Sequence, residues 1–112
     1  MSLKAEVRRV GEVSIVDLAG RITLGEGSGL LRDTIKGLVT SGQKNILVNL
    51  KGVTYIDSAG LAALIGAMQE VEGYGGKFLL AGLQETVRSI FEISRLDQVF
   101  QIFPDVDAAL AN

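Results

Sequence analysis

Hydrophobic and polar residues alternate at the start of the chain, and this pattern changes further along. Leu3, Ala5 and Val7 alternate with charged residues, which is typical of a β-strand with one buried face. A turn at residues 11–12 separates this segment from an apolar run over residues 13–18. Two such segments joined by a short turn predict a β-hairpin, so we expect the chain to begin with two antiparallel strands.

In the remaining sequence, segments whose apolar residues have helical spacing alternate with short apolar runs. The runs are rich in branched residues and nearly continuous, which is typical of parallel strands covered on both faces. A last helix is expected to open at Pro104 and Asp105. Three longer helices are predicted, and the buried face of each is formed by Leu31, Ile35, Leu38 and Val39 in the first, Leu61, Leu64, Ile65, Met68 and Val71 in the second, and Val87, Ile90, Phe91 and Ser94 in the third. The strands between and after these helices are predicted over residues 44–50, 77–81 and 99–103.

This order of elements predicts an α/β fold. Strands separated by helices need crossover connections, which are right-handed and place the strands parallel. We therefore expect one domain over residues 1–112, with a mostly parallel mixed sheet of about five strands, an N-terminal hairpin and helices packed against the sheet. Sites in such folds collect at the carboxyl ends of the strands. The candidate loops are residues 20–29, 51–59 and 82–83.

Composition narrows the chemistry available to these loops. The 112 residues include no cysteine and no histidine, which excludes disulfides, thiolate or imidazole metal ligands and Cys- or His-dependent catalysis. The net charge of −2 argues against a nucleic-acid partner, whose phosphates require a basic surface. The longest uncharged apolar stretch, residues 60–68, is too short to span a membrane. Because the N-terminus also lacks the apolar region of a secretory signal, we expect a cytoplasmic protein with no membrane insertion.

Residues 55–61 are the strongest candidate for a functional site. Asp57 and Ser58 stand side by side at a predicted helix start, where either can be the N-cap and where the helix dipole is positive. Ala59 and Gly60 are small and leave the hydroxyl uncovered. An Asp-Ser pair before a helix is often only a cap. Here the small residues, and the position after a buried parallel strand, favour a functional hydroxyl.

The chain resembles a STAS domain, the family of bacterial anti-sigma factor antagonists, over essentially its whole length. The resemblance rests on Asp57-Ser58-Ala59-Gly60-Leu61 after a buried strand, on residues 75–80 as the next turn and strand, and on Gly20-Arg21-Ile22-Thr23 after the hairpin. Two positions depart from the common pattern. Asn49 stands where many members have an aspartate, and an amide can still pair with backbone groups at a strand end. Thr23 stands where some members have an acidic residue, which alters the charge of the rim.

The resemblance implies a regulatory switch rather than an enzyme, with no cofactor. Ser58 would be phosphorylated by a partner that is both an anti-sigma factor and a serine kinase, a GHKL-type ATPase. The unphosphorylated protein would bind this kinase and release a sigma factor, and a PP2C-type phosphatase would reverse the phosphorylation. A phosphate adds about −1.5 to −2 charges, which disfavours burial in an interface. The residues expected to contact the partner are Thr23, Tyr55, Asp57, Ser58, Ala59, Gly60 and Leu61.

Two functions of other classes remain open from the sequence. A STAS domain can also be a subunit of a phospholipid-transport ABC complex, where it binds the ATPase without phosphorylation. The chain could instead be a small enzyme or ligand-binding module that uses Asp57 as a base. No second acid in the motif converges with Asp57, so this is the weakest of the three functions.

Two further motifs carry weaker signals. The glycine-rich residues 25–29 lack the Gly-Lys-Ser/Thr end of a P-loop, so we interpret them as a flexible rim, with Ser28 capping the first helix. Asp105 and Asp107 are two residues apart, a spacing that does not place side chains together on a helix. We interpret them as the ordinary acidic first turn of the last helix rather than as metal ligands.

Overall fold

The computed structural model describes residues 3–112, so the first two residues of the predicted domain lie outside it. Its five strands follow one another across the sheet in chain order, with β1 and β2 antiparallel and all other neighbours parallel. The predicted α/β class, mixed sheet and N-terminal hairpin are confirmed. The elements are β1 (Leu3–Val10), β2 (Val13–Ile22), α1 (Glu26–Thr40), β3 (Asn45–Ile56), α2 (Ser58–Gly73), β4 (Lys77–Ala81), α3 (Glu85–Ile93), a 3₁₀ turn (Leu96–Gln98), β5 (Gln101–Phe103) and α4 (Val106–Leu110).

The helices pack against the sheet through two apolar clusters, one on each face. Since all the parallel strands are added in one direction, right-handed crossovers place α1, α2 and α3 on the same face. The larger cluster lies under these helices and includes the fully buried Ile22, Leu31, Ile35, Leu50, Ile56, Leu64, Leu80 and Phe91. The smaller cluster lies under α4 and consists of Ile15, Leu47, Leu79, Ala81 and Ala109. Because α4 has only five residues, it covers only part of its face.

The two strands that lead to the candidate site are longer than predicted. β2 continues to Ile22 and β3 to Ile56, so the loop predicted over residues 51–59 is strand as far as Ile56 and helix from Ser58. Asp17 pairs with Asn49 and Ile22 pairs with Ile56, so five residue steps along β2 correspond to seven along β3. β3 therefore contains two extra residues, which make bulges against β2. The bulges interrupt the apolar alternation on which the prediction of strands depends.

The start of α1 also differs from the prediction. The helix begins at Glu26 with Gly25 as its N-cap, so the predicted capping role of Ser28 is wrong. Ser28 lies in the first turn of the helix, where it is buried and its hydroxyl donates to the carbonyl oxygen of Gly25. The turn before α1 is therefore only residues 23–25, much shorter than the predicted loop over residues 20–29.

The last strand is shorter than predicted. β5 begins at Gln101, because a 3₁₀ turn occupies Leu96–Gln98 and Phe100 turns into the core. The ring centroid of Phe100 lies 5.7 Å from that of Phe91 and 6.1 Å from that of Phe78. The apolar residues that suggested a strand from residue 99 thus include one that anchors the 3₁₀ turn instead.

Gly60 allows α2 to approach the end of β2. A Cβ atom at this position would collide with the carbonyl oxygen of Ile22 and would lie 2.7 Å from Cγ1 of Ile56. Gly66, further along the same helix, has no heavy atom within 4 Å of the equivalent position. The fold therefore requires glycine at position 60 but not at position 66.

No helix among residues 3–112 is long and apolar enough to cross a membrane. This finding concerns the described part of the chain.

We predict opposite effects of alanine at these two glycines. Gly60→Ala should lower the free energy of unfolding by about 3 kcal/mol, because the atom that it meets is a backbone carbonyl that cannot rotate away. Gly66→Ala should raise it by up to about 1 kcal/mol, since alanine is the better helix former and has room. Urea denaturation of both variants and the wild-type protein measures the difference. Equal midpoints for the two variants would contradict the close approach of α2 to β2.

Candidate functional site

The candidate site lies where β2 and β3 end side by side. Ile22 and Ile56 are the last residues paired between these strands. α2 starts two residues after Ile56, at Ser58, which is exposed at this edge of the sheet. Consecutive elements of the fold thus place the Ser58 hydroxyl at the carboxyl ends of two parallel strands, where the sequence predicted a site.

Asp57 joins three segments of backbone at this edge. Its Oδ1 accepts a hydrogen bond of 2.8 Å from the N–H of Gly60, and this identifies Asp57 rather than Ser58 as the N-cap of α2. Its Oδ2 accepts a hydrogen bond of 3.1 Å from the N–H of Leu24, in the turn before α1. The N–H of Asp57 itself donates to the carbonyl of Ile22 at 3.2 Å. One residue therefore connects the end of β2, the following turn and the start of α2.

These hydrogen bonds also set the charge of the site. The backbone N–H of Gly60, followed by that of Leu24, holds the pKa of the Asp57 carboxyl below its ordinary value of 3.8. The resulting stabilisation is complete above the ordinary value and is lost as the pH falls through the lowered pKa of the folded state. At neutral pH a full negative charge therefore stands beside the Ser58 hydroxyl.

Most of the predicted contact residues come together around Ser58. Thr23 lies in the turn beside α2 and is half-buried, as are Ala59 and Leu61 in the first turn of the helix. Gly60 is buried, and the need for a small residue at this position differs from the predicted one. It allows close packing on β2 and does not serve to expose the hydroxyl.

Tyr55 is not brought together with the other predicted contacts. It pairs with Arg21, whose guanidinium carbon lies 5.0 Å from the centre of the Tyr55 ring. The next pair, Ile22 and Ile56, is buried under α1 and α2. Since successive side chains of a strand point to opposite faces, Tyr55 and Arg21 lie on the face away from these helices.

Leu24 is the residue of the site that sequence reasoning missed. Its side chain is 79% exposed although it is apolar. It borders a depression of about 360 Å³ between α1 and α2, which is also lined by Ser28, Arg32, Ala59, Ala62, Ala63, Gly66 and Glu70. The signal for it in the sequence is an isolated leucine between Thr23 and Gly25, in a segment otherwise made of small and polar residues up to Gly29.

A second depression, of about 520 Å³, contains the predicted loop 82–83 and lies near α4. Arg8, Asn49 and Lys51 also line it. Asn49 donates to Oδ1 of Asp17 at 2.8 Å, and Arg8 forms an ion pair of 2.6 Å with the same carboxylate. The hydrogen bond from Arg8 is the main reason why the pKa of Asp17 lies below its ordinary value. This network joins β1, β2 and β3.

Asp105, which directly precedes α4, has a structural role. Asp105 caps this helix by accepting a hydrogen bond of 2.8 Å from the N–H of Ala108. Within residues 3–112, no group of three or more His, Cys, Asp or Glu side chains is placed to hold a metal ion.

Comparisons with known proteins agree with the fold. A solved anti-sigma factor antagonist from Mycobacterium paratuberculosis matches with a TM-score of 0.86 and 23% identity, over 97% of this chain and 92% of that chain. The phosphorylated form of the Bacillus cell fate determinant SpoIIAA matches with a TM-score of 0.74 and 22% identity, over 96% and 97% of the two chains. At these identities the structures establish a common fold.

Sequence comparison establishes the family. The chain is 28% identical over 102 residues to an anti-sigma-B factor antagonist of Bacillus subtilis (strain 168), and the match covers 91% of this chain and 92% of the relative. The family model described as the STAS domain matches residues 4–109, nearly the full length. This protein therefore belongs to the STAS domain family.

Proposed function

We propose that the protein is an anti-sigma factor antagonist, which binds an anti-sigma factor in the cytoplasm and so releases a sigma factor without catalysing a reaction. The observation that carries the proposal is the exposed Ser58 in the first turn of α2, beside the Asp57 carboxylate. The matched Bacillus subtilis relative has this function in its name and is covered over 92% of its length. The match that supports the assignment therefore extends over nearly the whole relative and not over a fragment of it.

The finer part of the proposal is a phosphorylation switch at Ser58. The partner is a serine-kinase anti-sigma factor of the GHKL type, and a PP2C-type phosphatase removes the phosphate. Ser58 is exposed, so a kinase can reach it without unfolding the domain. A solved protein with the same fold, SpoIIAA, is described in a phosphorylated form, which supports modification of this fold.

The charge of the site gives the switch a physical mechanism. A phosphate on Ser58 adds about −1.5 to −2 charges next to the Asp57 carboxylate. The N-terminus of α2 tolerates that charge while solvent is present. Burial against a partner would remove the solvent and leave two anionic groups together, so the complex loses affinity while the domain stays folded.

We predict that charge at position 58 controls binding of the partner. Ser58→Asp should weaken the complex at least about tenfold, while Ser58→Ala should bind like wild type. The three proteins serve as bait in a lysate of the source organism, retained proteins are identified by mass spectrometry, and the dissociation constant of the purified anti-sigma factor is then measured by calorimetry. Ser89→Asp, at an exposed serine on α3, is the matched control and should bind like wild type.

Two results of this experiment would overturn parts of the proposal. A complex with Ser58→Asp as tight as wild type would contradict the charge mechanism. Recovery of a transporter ATPase that binds all the variants equally would instead indicate a subunit of a phospholipid-transport ABC complex.

We also predict that Ser58 is the only phosphoacceptor for this partner. The purified anti-sigma factor and ATP should transfer one phosphate to the wild-type protein and to Ser89→Ala, and none to Ser58→Ala. Because Asp57 is the cap of α2, Ser58→Ala should change the free energy of unfolding by less than about 1 kcal/mol. Intact-protein mass spectrometry and urea denaturation measure the two effects. A phosphate on Ser58→Ala would show that another hydroxyl accepts it.

A further inference from the structure

Leu24 combines three properties that are not found together elsewhere among residues 3–112. It is an apolar side chain with 79% of its surface exposed. It lies in a turn of only three residues, 23–25, between β2 and α1. Its backbone N–H is held at 3.1 Å by Oδ2 of Asp57, the residue that precedes Ser58. The backbone that carries an exposed apolar side chain is therefore held by the residue that precedes the candidate phosphoacceptor.

This bond matters because an anchor whose main chain is already ordered loses less conformational entropy on binding. Ile93, at the end of α3, is as exposed as Leu24, at 83%, so exposure alone does not distinguish the two. What distinguishes Leu24 is the bond to Asp57, whose other carboxylate oxygen caps α2 at Gly60. The carboxylate thereby sets the position of Leu24 relative to the first turn of α2, which carries Ser58.

We propose that Asp57 is a positioning residue for partner binding, whose carboxylate fixes the turn at residues 23–25 against α2 so that Leu24 and the Ser58 hydroxyl are presented together, with Leu24 as the apolar anchor. This inference rests on the proposed function, and the partner surface that receives Leu24 is an apolar pocket of the anti-sigma factor. Leu24 and Ser58 then have separate tasks. Leu24 supplies affinity, and Ser58 makes that affinity dependent on phosphorylation.

The first test uses the free protein and the variant Asp57→Asn. Asparagine caps a helix as well as aspartate does, so its oxygen keeps the bond from Gly60. Its amide group is a donor and cannot accept the N–H of Leu24. Amide hydrogen exchange measured by NMR should accelerate about tenfold at Leu24 and change by less than about twofold at Gly60. Equal exchange at Leu24 in both proteins would refute the positioning role, whatever partner the protein has.

The second test measures binding of the anti-sigma factor that is recovered with the wild-type protein in the experiment described above. Leu24→Ala should raise its dissociation constant at least about tenfold, as expected of an interface anchor. The matched control Ile93→Ala removes an equally exposed side chain at the far end of α3 and should change the constant by less than about twofold. Equal constants for Leu24→Ala and wild type would refute the anchor.

A double-mutant cycle separates positioning from direct contact. If Asp57 acts through Leu24, Asp57→Asn should weaken binding in the wild-type background but have little further effect in Leu24→Ala. Fully additive effects would show that Asp57 contacts the partner by itself and would overturn the inference. Loss of the anchor with an intact response to Ser58→Asp leaves the proposed function standing. Absence of any anti-sigma factor among the proteins bound by wild type contradicts the proposed function, and the exchange experiment still tests the positioning of Leu24.

Discussion

The bonds of Asp57 hold together the part of the molecule on which its proposed function depends. Leu24 and Gly60 are far apart in the chain, yet one carboxylate accepts hydrogen bonds from both. These bonds are available only because α2 begins directly against the end of β2, which in turn requires that residue 60 has no side chain. The site is thus a consequence of close backbone packing at one edge of the sheet. The backbone around Ser58 is held in place by the bonds of Asp57, and its hydroxyl stays exposed.

This arrangement explains why the most informative part of the sequence was the motif and not the pattern of hydrophobic residues around it. The buried strands over Ile46–Leu50 and Phe78–Ala81 were predictable, because both faces are covered and nearly every residue is apolar. The helix start at residues 57–58 was also predictable. The choice of Asp57 over Ser58 as the cap was not, since both residue types are good caps and only the backbone geometry decides.

The end of β3 shows where the reasoning from periodicity fails. Leu50, Val53 and Ile56 all point into the core under the helices, a spacing of three that fits neither a regular strand nor a helix. The two extra residues of β3 explain the spacing. The first reverses the alternation of side chains, which turns Val53 inward, and the second restores it. The Tyr55 side chain therefore points to the face of the sheet opposite to that of Val53 and Ile56.

The same geometry separates the residue that stabilises the site from the neighbouring residue at which regulation is proposed. The internal bonds of the site belong to the Asp57 carboxylate and to the backbone of Ile22, Leu24 and Gly60, while Ser58 stays exposed outside them. A charge placed on Ser58 therefore breaks none of these bonds, and its cost appears only when the surface is covered by a partner. If Ser58 were itself the cap, each phosphorylation would compete with the start of α2. Placing the cap one residue earlier would allow the proposed binding surface to be switched without disturbing the fold.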